Sequence, residues 1–160
     1  MEKYKKLIHK AWIARGSVIN ETALLELHIQ QIIAEYFCNT QEKQIELVNV
    51  ILGTEKITFN SKKEILKYII EKKYPEFIKK NPKWNNDLTE IMQQRNIFAH
   101  FALDTRKESI IDFSKNKTIG FAKFKNEQTV ILYNDEKMLK LVSMINKYTG
   151  EFRILLGLEV

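Results

Sequence analysis

The sequence is poor in the residues that usually staple or arm a small protein. One cysteine, Cys38, in 160 residues excludes an intramolecular disulfide and a Cys-x-x-Cys zinc pair. It follows Tyr36-Phe37 on an apolar pattern and reads as a small core residue rather than a nucleophile. Pro75 and Pro82 are the only prolines, and both fall in one loop-like stretch, Tyr74 to Lys83. No Gly-rich phosphate loop, Gly-x-Ser-x-Gly elbow or His-Glu-x-x-His helix occurs, so kinase, serine-hydrolase and zinc-protease readings have no support. No clustered carboxylate set offers a two-metal site. No metal and no cofactor is therefore expected. Long apolar runs are missing too: Lys10, Arg15 and Glu21 interrupt the N-terminal region too soon for a signal peptide or a membrane span. A cytoplasmic chain without a membrane partner is expected.

What is present is charge and helical periodicity. Lysine and arginine number 26 against 20 acidic residues, a net charge of +6. The excess permits a polyanionic partner but does not require one, because lysines lie along every segment and a solvated surface gives the same count. The length fits a single domain, 1–160, able to bury about two thirds of its unfolded surface.

Tyr4, Leu7, Ile8, Ala11 and Trp12 mark a first helix over 2–14, which Gly16-Ser17 punctuates. From Val18 the series Thr22, Leu25, Ile29, Ile32, Ile33, Tyr36 marks one face of a long helix. Leu24, Leu27 and Gln31 form a second strip, as on a helix that is central or sits at a subunit contact. Ile45, Val48, Ile51 and Leu52 predict a shorter helix ending at Gly53. Asn60-Ser61 offers caps for a helix with Ile65, Leu66, Ile69 and Ile70. Asn85-Asn86-Asp87 precedes another, with Leu88, Ile91, Met92, Phe98 and Ala99. Ser109 to Phe113, Ile119 to Phe124 and Gln128 to Tyr133 then read as short strands. Lys115-Asn116-Lys117 and Lys125-Asn126-Glu127 separate them as turns. Asn134-Asp135-Glu136 caps a last helix with Met138, Leu141, Val142, Ile145 and Tyr148, which Gly150 would interrupt. The expected fold is mainly α, a helical bundle with a small antiparallel β-hairpin or meander before the last helix.

Arg95-Asn96-Ile97-Phe98-Ala99-His100 gathers a permanent cation, a primary amide and an imidazole into the final turns of the fifth apolar pattern. The chain has only four arginines and three histidines. As residue types, arginine can hold a phosphate and histidine can move a proton. Arg95 shares a face with Leu88 and Ile91, where a guanidinium needs a partner. A carboxylate such as Glu21 or Glu26 could be that partner, making Arg95 a structural residue. Five residues at about 100° each put His100 roughly 140° around the helix from Arg95. The two converge only if the helix ends or bends near Ala99, or if a second copy of the chain supplies one of them.

The chain resembles the HEPN superfamily, whose hallmark is an arginine, four to six residues, then a histidine, with a polar residue straight after the arginine. Arg95, Asn96 and His100 fill those places. The long helix ending in Ala34-Glu35-Tyr36-Phe37, the helix after Phe59-Asn60-Ser61 and the elements after the motif match the family's layout over most of the chain. The resemblance implies a metal-independent endoribonuclease working as a homodimer. The RNA 2′-hydroxyl would attack, His100 would serve as general base or acid, and Arg95 would bind the scissile phosphate. Asn96 would orient the phosphate or the imidazole. It also implies an acidic or polar residue on an early helix near the arginine; Glu21 and Glu26 both fit. The family setting is toxin–antitoxin or antiviral (phage) defence, with an antitoxin protein as a further partner. The competing implication is a non-catalytic HEPN module that dimerises or binds a nucleotide or partner.

Two further features have two readings each. Lys72, Lys73, Lys79, Lys80 and Lys83 surround Tyr74, Phe77 and Trp84; either the loop grips single-stranded RNA, or its aromatics turn into the core. Lys123 and Lys125 alternate along a hairpin as phosphate contacts or as a solvated face. His9 and His28 lack partners at metal spacing and read as structural.

Overall fold

A computed structural model describes residues 1–125 and 127–158. In order the elements are α1 (Glu2–Phe37), α2 (Gln41–Glu46) running into a π-helical segment (Leu47–Leu52), α3 (Phe59–Lys73), α4 (Pro75–Lys80), α5 (Trp84–His100), β1 (Ala102–Leu103), α6 (Lys107–Asn116), β2 (Ile119–Lys125), β3 (Glu127–Tyr133) and α7 (Asp135–Leu155). The fold is mainly α, with a small antiparallel sheet before the last helix, as expected. The chain divides into two compact units, one of residues 1–21 and 93–144, the other of 22–92 and 145–160.

Several local expectations give way. Gly16-Ser17 does not break α1, which is a single helix of 36 residues. A helix-interior glycine costs only about 1 kcal/mol relative to alanine, and buried Ala11, Ala14 and Val18 on either side offset it. Gly150 likewise lies inside α7. Ser109 to Phe113 is helix, not strand. Its short apolar run fits either period, and Lys117, in the left-handed region at φ 57°, closes the helix rather than a hairpin. The stretch from Tyr74 to Lys83 holds α4, with Pro75 at its first turn, where the missing N–H is no loss. Thr58, not Asn60, caps α3, its Oγ1 accepting from the Ser61 amide at 3.2 Å. Asn126 of the expected Lys125-Asn126-Glu127 turn lies outside the described residues, as do the side chains of Lys125 and Glu127.

In the unit of 1–21 and 93–144 the sheet order is β1-β2-β3, all antiparallel. Ala102 lies opposite Ala122, and Ile119 opposite Tyr133. Phe98, Phe121 and Tyr133 pack ring to ring, with centroids 4.7 to 5.8 Å apart. Leu7, Ala11, Val18, Phe113 and Leu141 complete this core.

In the unit of 22–92 and 145–160 the core is Leu25, Ile29, Ile33, Leu66, Ile69, Ile70, Leu88, Ile91, Ile145 and Tyr148. Phe77 lies 5.8 Å from both Trp84 and Phe152. The Tyr148 hydroxyl donates to the Asp87 carboxylate, and burial is the main cause pushing that phenol's pKa up. The second α1 strip is partly covered, Leu24 and Leu27 each keeping about two fifths of their surface exposed and Gln31 being half-buried.

Candidate functional site

The motif occupies the last two turns of α5, and its order follows from how that helix is buried. Phe98 is fully buried. One turn earlier, Gln94 accepts a hydrogen bond from the Tyr133 hydroxyl, whose pKa burial pushes up to about 12. These two side chains turn one face of α5 into the core. Arg95 falls at the edge of that face and is half-buried, while Asn96 and His100 are exposed. Asn96 and His100 stand four residues apart and share the outward face. The Asn96 amide oxygen accepts from Arg95 Nη1 at 3.3 Å. In angle, Asn96 therefore sits between the guanidinium and the imidazole.

α5 continues to His100, and the Phe101 amide still bonds the Ile97 carbonyl at 3.0 Å. The helix does not turn away before the histidine, so Arg95 and His100 stay roughly 140° apart around its axis. Among the described residues no hydrogen bond joins the two side chains.

The end of α5 is fixed by Arg15, which sequence reasoning did not single out. Its guanidinium donates to the carbonyls of Phe98, at 2.9 Å, and Phe101. It also lies 4.7 Å from the centroid of the Phe121 ring. A helix leaves its last carbonyls without partners, and a cation at that end meets both their hydrogen-bonding capacity and the dipole. Burial lowers the Arg15 pKa from its ordinary value. One signal was available: Arg15 is four residues after Ala11 and three before Val18, on the buried stripe itself.

The supporting candidates fall differently. The Glu26 carboxylate accepts from the Lys62 ammonium, which is 4% exposed. Glu26 is thus the counter-ion of a buried lysine within its own unit. Glu21 is half-buried. Among the described residues, no carboxylate forms an ion pair with Arg95. Of the candidate RNA-binding lysines, Lys79 pairs with Glu76 and Lys80 with Glu151, each at 2.7 Å, and Lys83 is exposed. Phe77 and Trp84 are buried, so these aromatics of the expected gripping loop belong to the core. Lys123 lies over the Phe101 ring, 5.5 Å from its centroid. His28 is buried; desolvation, and then the nearby Arg153 charge, lowers its pKa. Among the described residues no group of three or more His, Cys, Asp or Glu side chains could hold a metal ion, and no helix is long and apolar enough to cross a membrane. Compared with protein-family models, curated proteins and solved structures, the chain matches none of them.

Proposed function

We propose that this chain is a metal-independent endoribonuclease whose site is Arg95, Asn96 and His100. The observation that carries the reading is an arginine whose guanidinium bonds a neutral amide, with an exposed imidazole one turn beyond that amide. An arginine paired with a carboxylate has its charge offset. One bonded to an amide keeps its charge for an anion that arrives from solution. In the reaction, the RNA 2′-hydroxyl attacks the adjacent phosphorus as His100 of one copy takes its proton. Arg95 holds the non-bridging oxygens as charge develops on them, and Asn96 keeps the guanidinium oriented. The departing 5′-oxygen takes a proton from solvent, and the His100 imidazolium returns its own proton to solvent. The products are a 2′,3′-cyclic phosphate and a 5′-hydroxyl. DNA lacks the nucleophile and resists.

The helix geometry supports a homodimer, since a second copy can supply the histidine that one straight helix holds away from Arg95. Trp12 and Ile13, 69% and 60% exposed in the same unit as the motif, are large apolar side chains for a partner to cover. Toxin–antitoxin or phage-defence work in the cytoplasm, with an antitoxin protein as regulator, is the setting that goes with this chemistry. The alternative, a non-catalytic module of the same fold, is favoured by that same divergence if no second copy closes the cleft.

The test is RNA cleavage in excess chelator by the wild type, Arg95→Ala and His100→Ala. Chelator-resistant cleavage that falls at least a hundredfold in each variant, and yields cyclic phosphate ends, is the expected outcome. Equal cleavage by all three proteins, or none by the wild type, rejects the reading.

A further inference from the structure

We propose that a separate surface, in the unit of 22–92 and 145–160, binds single-stranded nucleic acid by stacking bases on Phe37 and Tyr68 and directing a phosphate to Lys72. The sequence pointed to an aromatic, basic grip between Tyr74 and Trp84, but Phe77 and Trp84 there are core. The exposed rings lie elsewhere, where the end of α1 meets α3. Phe37 is 57% exposed and Tyr68 53%. Half-buried Tyr36 lies nearly perpendicular to both, with centroids 4.9 Å and 6.3 Å away at interplanar angles of 83° and 90°.

Lys72 follows Tyr68 by one helical turn. Its Nζ lies 3.3 Å from the Tyr68 hydroxyl and 5.5 Å and 6.0 Å from the centroids of Tyr68 and Tyr36. The Tyr68 hydroxyl and the Lys72 ammonium thus meet at one edge of a patch of three rings from two helices. The phenols hold the ammonium in its charged form, raising its pKa, and the ammonium in turn lowers that of Tyr68.

The charge pattern argues that this cluster faces a ligand. Along α3, Glu64 pairs with Lys63 and Glu71 with Lys67, while Lys62 takes Glu26. Among the described residues Lys72 has only neutral partners. A cation whose hydrogen-bond partner is a hydroxyl keeps its net charge, and the hydroxyl adds a donor beside it, which suits phosphate oxygens. Lys73, 5.4 Å from the centroid of the Tyr74 ring, adds a second cation next to it in sequence. Exposed ring surface accepts any base, but only a base not already stacked within a duplex. A phosphopeptide would use the donors and have no need of the rings.

The inference is independent of cleavage, because neither bases nor phosphates require a 2′-hydroxyl. The probe is therefore a fluorescein-labelled oligo-dT of about twelve nucleotides, within the span of known single-strand sites, followed by anisotropy. It stays intact even if the protein cleaves RNA, so its failure to bind and a failure of RNA cleavage are separate results. Wild type is expected to bind it at least about tenfold tighter than a labelled duplex of the same length. Phe37→Ala and Tyr68→Ala should each weaken binding about tenfold. Tyr68→Phe, which keeps the ring, should lose less than Tyr68→Ala. Lys72→Gln should also reduce the slope of log affinity against log salt by about 0.7. Absence of binding, equal affinity for single strand and duplex, or wild-type affinity in both alanine variants would overturn the assignment.

Discussion

Asp104, directly after β1, is a buried carboxylate that stays charged because its oxygens are supplied with donors. Arg106 gives it a fork, Nε at 2.9 Å and Nη2 at 2.8 Å, and its own amide at 3.2 Å. Ser109 Oγ donates at 2.6 Å. The Arg106 bonds, ahead of the opposing effect of burial, bring the Asp104 pKa down to about 2. A carboxyl held below its unfolded value of about 3.9 stabilises the fold fully above that pH, and the contribution drains away as pH falls towards 2. Its full size is about 2 kcal/mol. Asp104→Asn should therefore lower stability by about 2 kcal/mol at pH 6, and the gap to wild type should nearly close by pH 2. Urea unfolding followed by circular dichroism at pH 6, 4 and 2 measures it; a gap of constant size would mean the loss is one of packing. At this scale the sequence was legible where neighbours are local. That Asn96 adjoins Arg95 and shares a face with His100 follows from spacing within α5. That Lys62 holds Glu26, or that Arg15 reaches Phe98, depends on contacts 36 and 83 residues apart in the chain, which no spacing rule supplies.

At the scale of elements, Arg15 makes a definite demand on α5. Two of the carbonyls at that helix end have the guanidinium as donor, and charged hydrogen bonds contribute about 1.5–3 kcal/mol each, less where water competes. Arg15→Ala should cost about 2 kcal/mol overall and fray the turn that carries His100. Faster hydrogen exchange at the Phe101 amide, which bonds Ile97, is the expected signature. Arg15→Lys, with a charge but no fork, should recover only part of it. Unchanged exchange in Arg15→Ala would show that Phe98 packing alone holds the helix end. Long elements were readable for the reason that makes them stable: α5 and α7 each repeat an apolar face over several turns. Short ones were not. α6 and a strand share the same five-residue apolar run, and β1 has two residues, paired with β2, that no period could reveal. The helix through Gly16 was missed because glycine sets only a small local penalty, while burial of the flanking residues is decided by the rest of the unit.

For the molecule as a whole, the proposed ribonuclease turns on whether a second copy of the chain completes the site. Arg95 and His100 diverge by roughly 140° on one unbent helix, so a phosphate held by one is out of line with the other. A two-fold contact reverses this, because it can set each arginine against the partner's histidine. The two arrangements give opposite results when crippled variants are mixed. On the proposed mechanism, Arg95→Ala and His100→Ala are each expected to be inactive alone in either case. If a site takes its arginine and histidine from different copies, a mixed dimer has one doubly defective site and one intact site. Mixing equal amounts, with exchange of subunits, then restores about a quarter of wild-type RNA cleavage. If each chain forms its own site, every site in the mixture keeps one defect and nothing is restored. Cleavage after mixing, read beside sedimentation to establish that the variants form mixed dimers, tests the arrangement. Recovery near a quarter supports the shared cleft. No recovery from demonstrated mixed dimers removes the shared cleft and, with it, the geometric basis for catalysis by these residues.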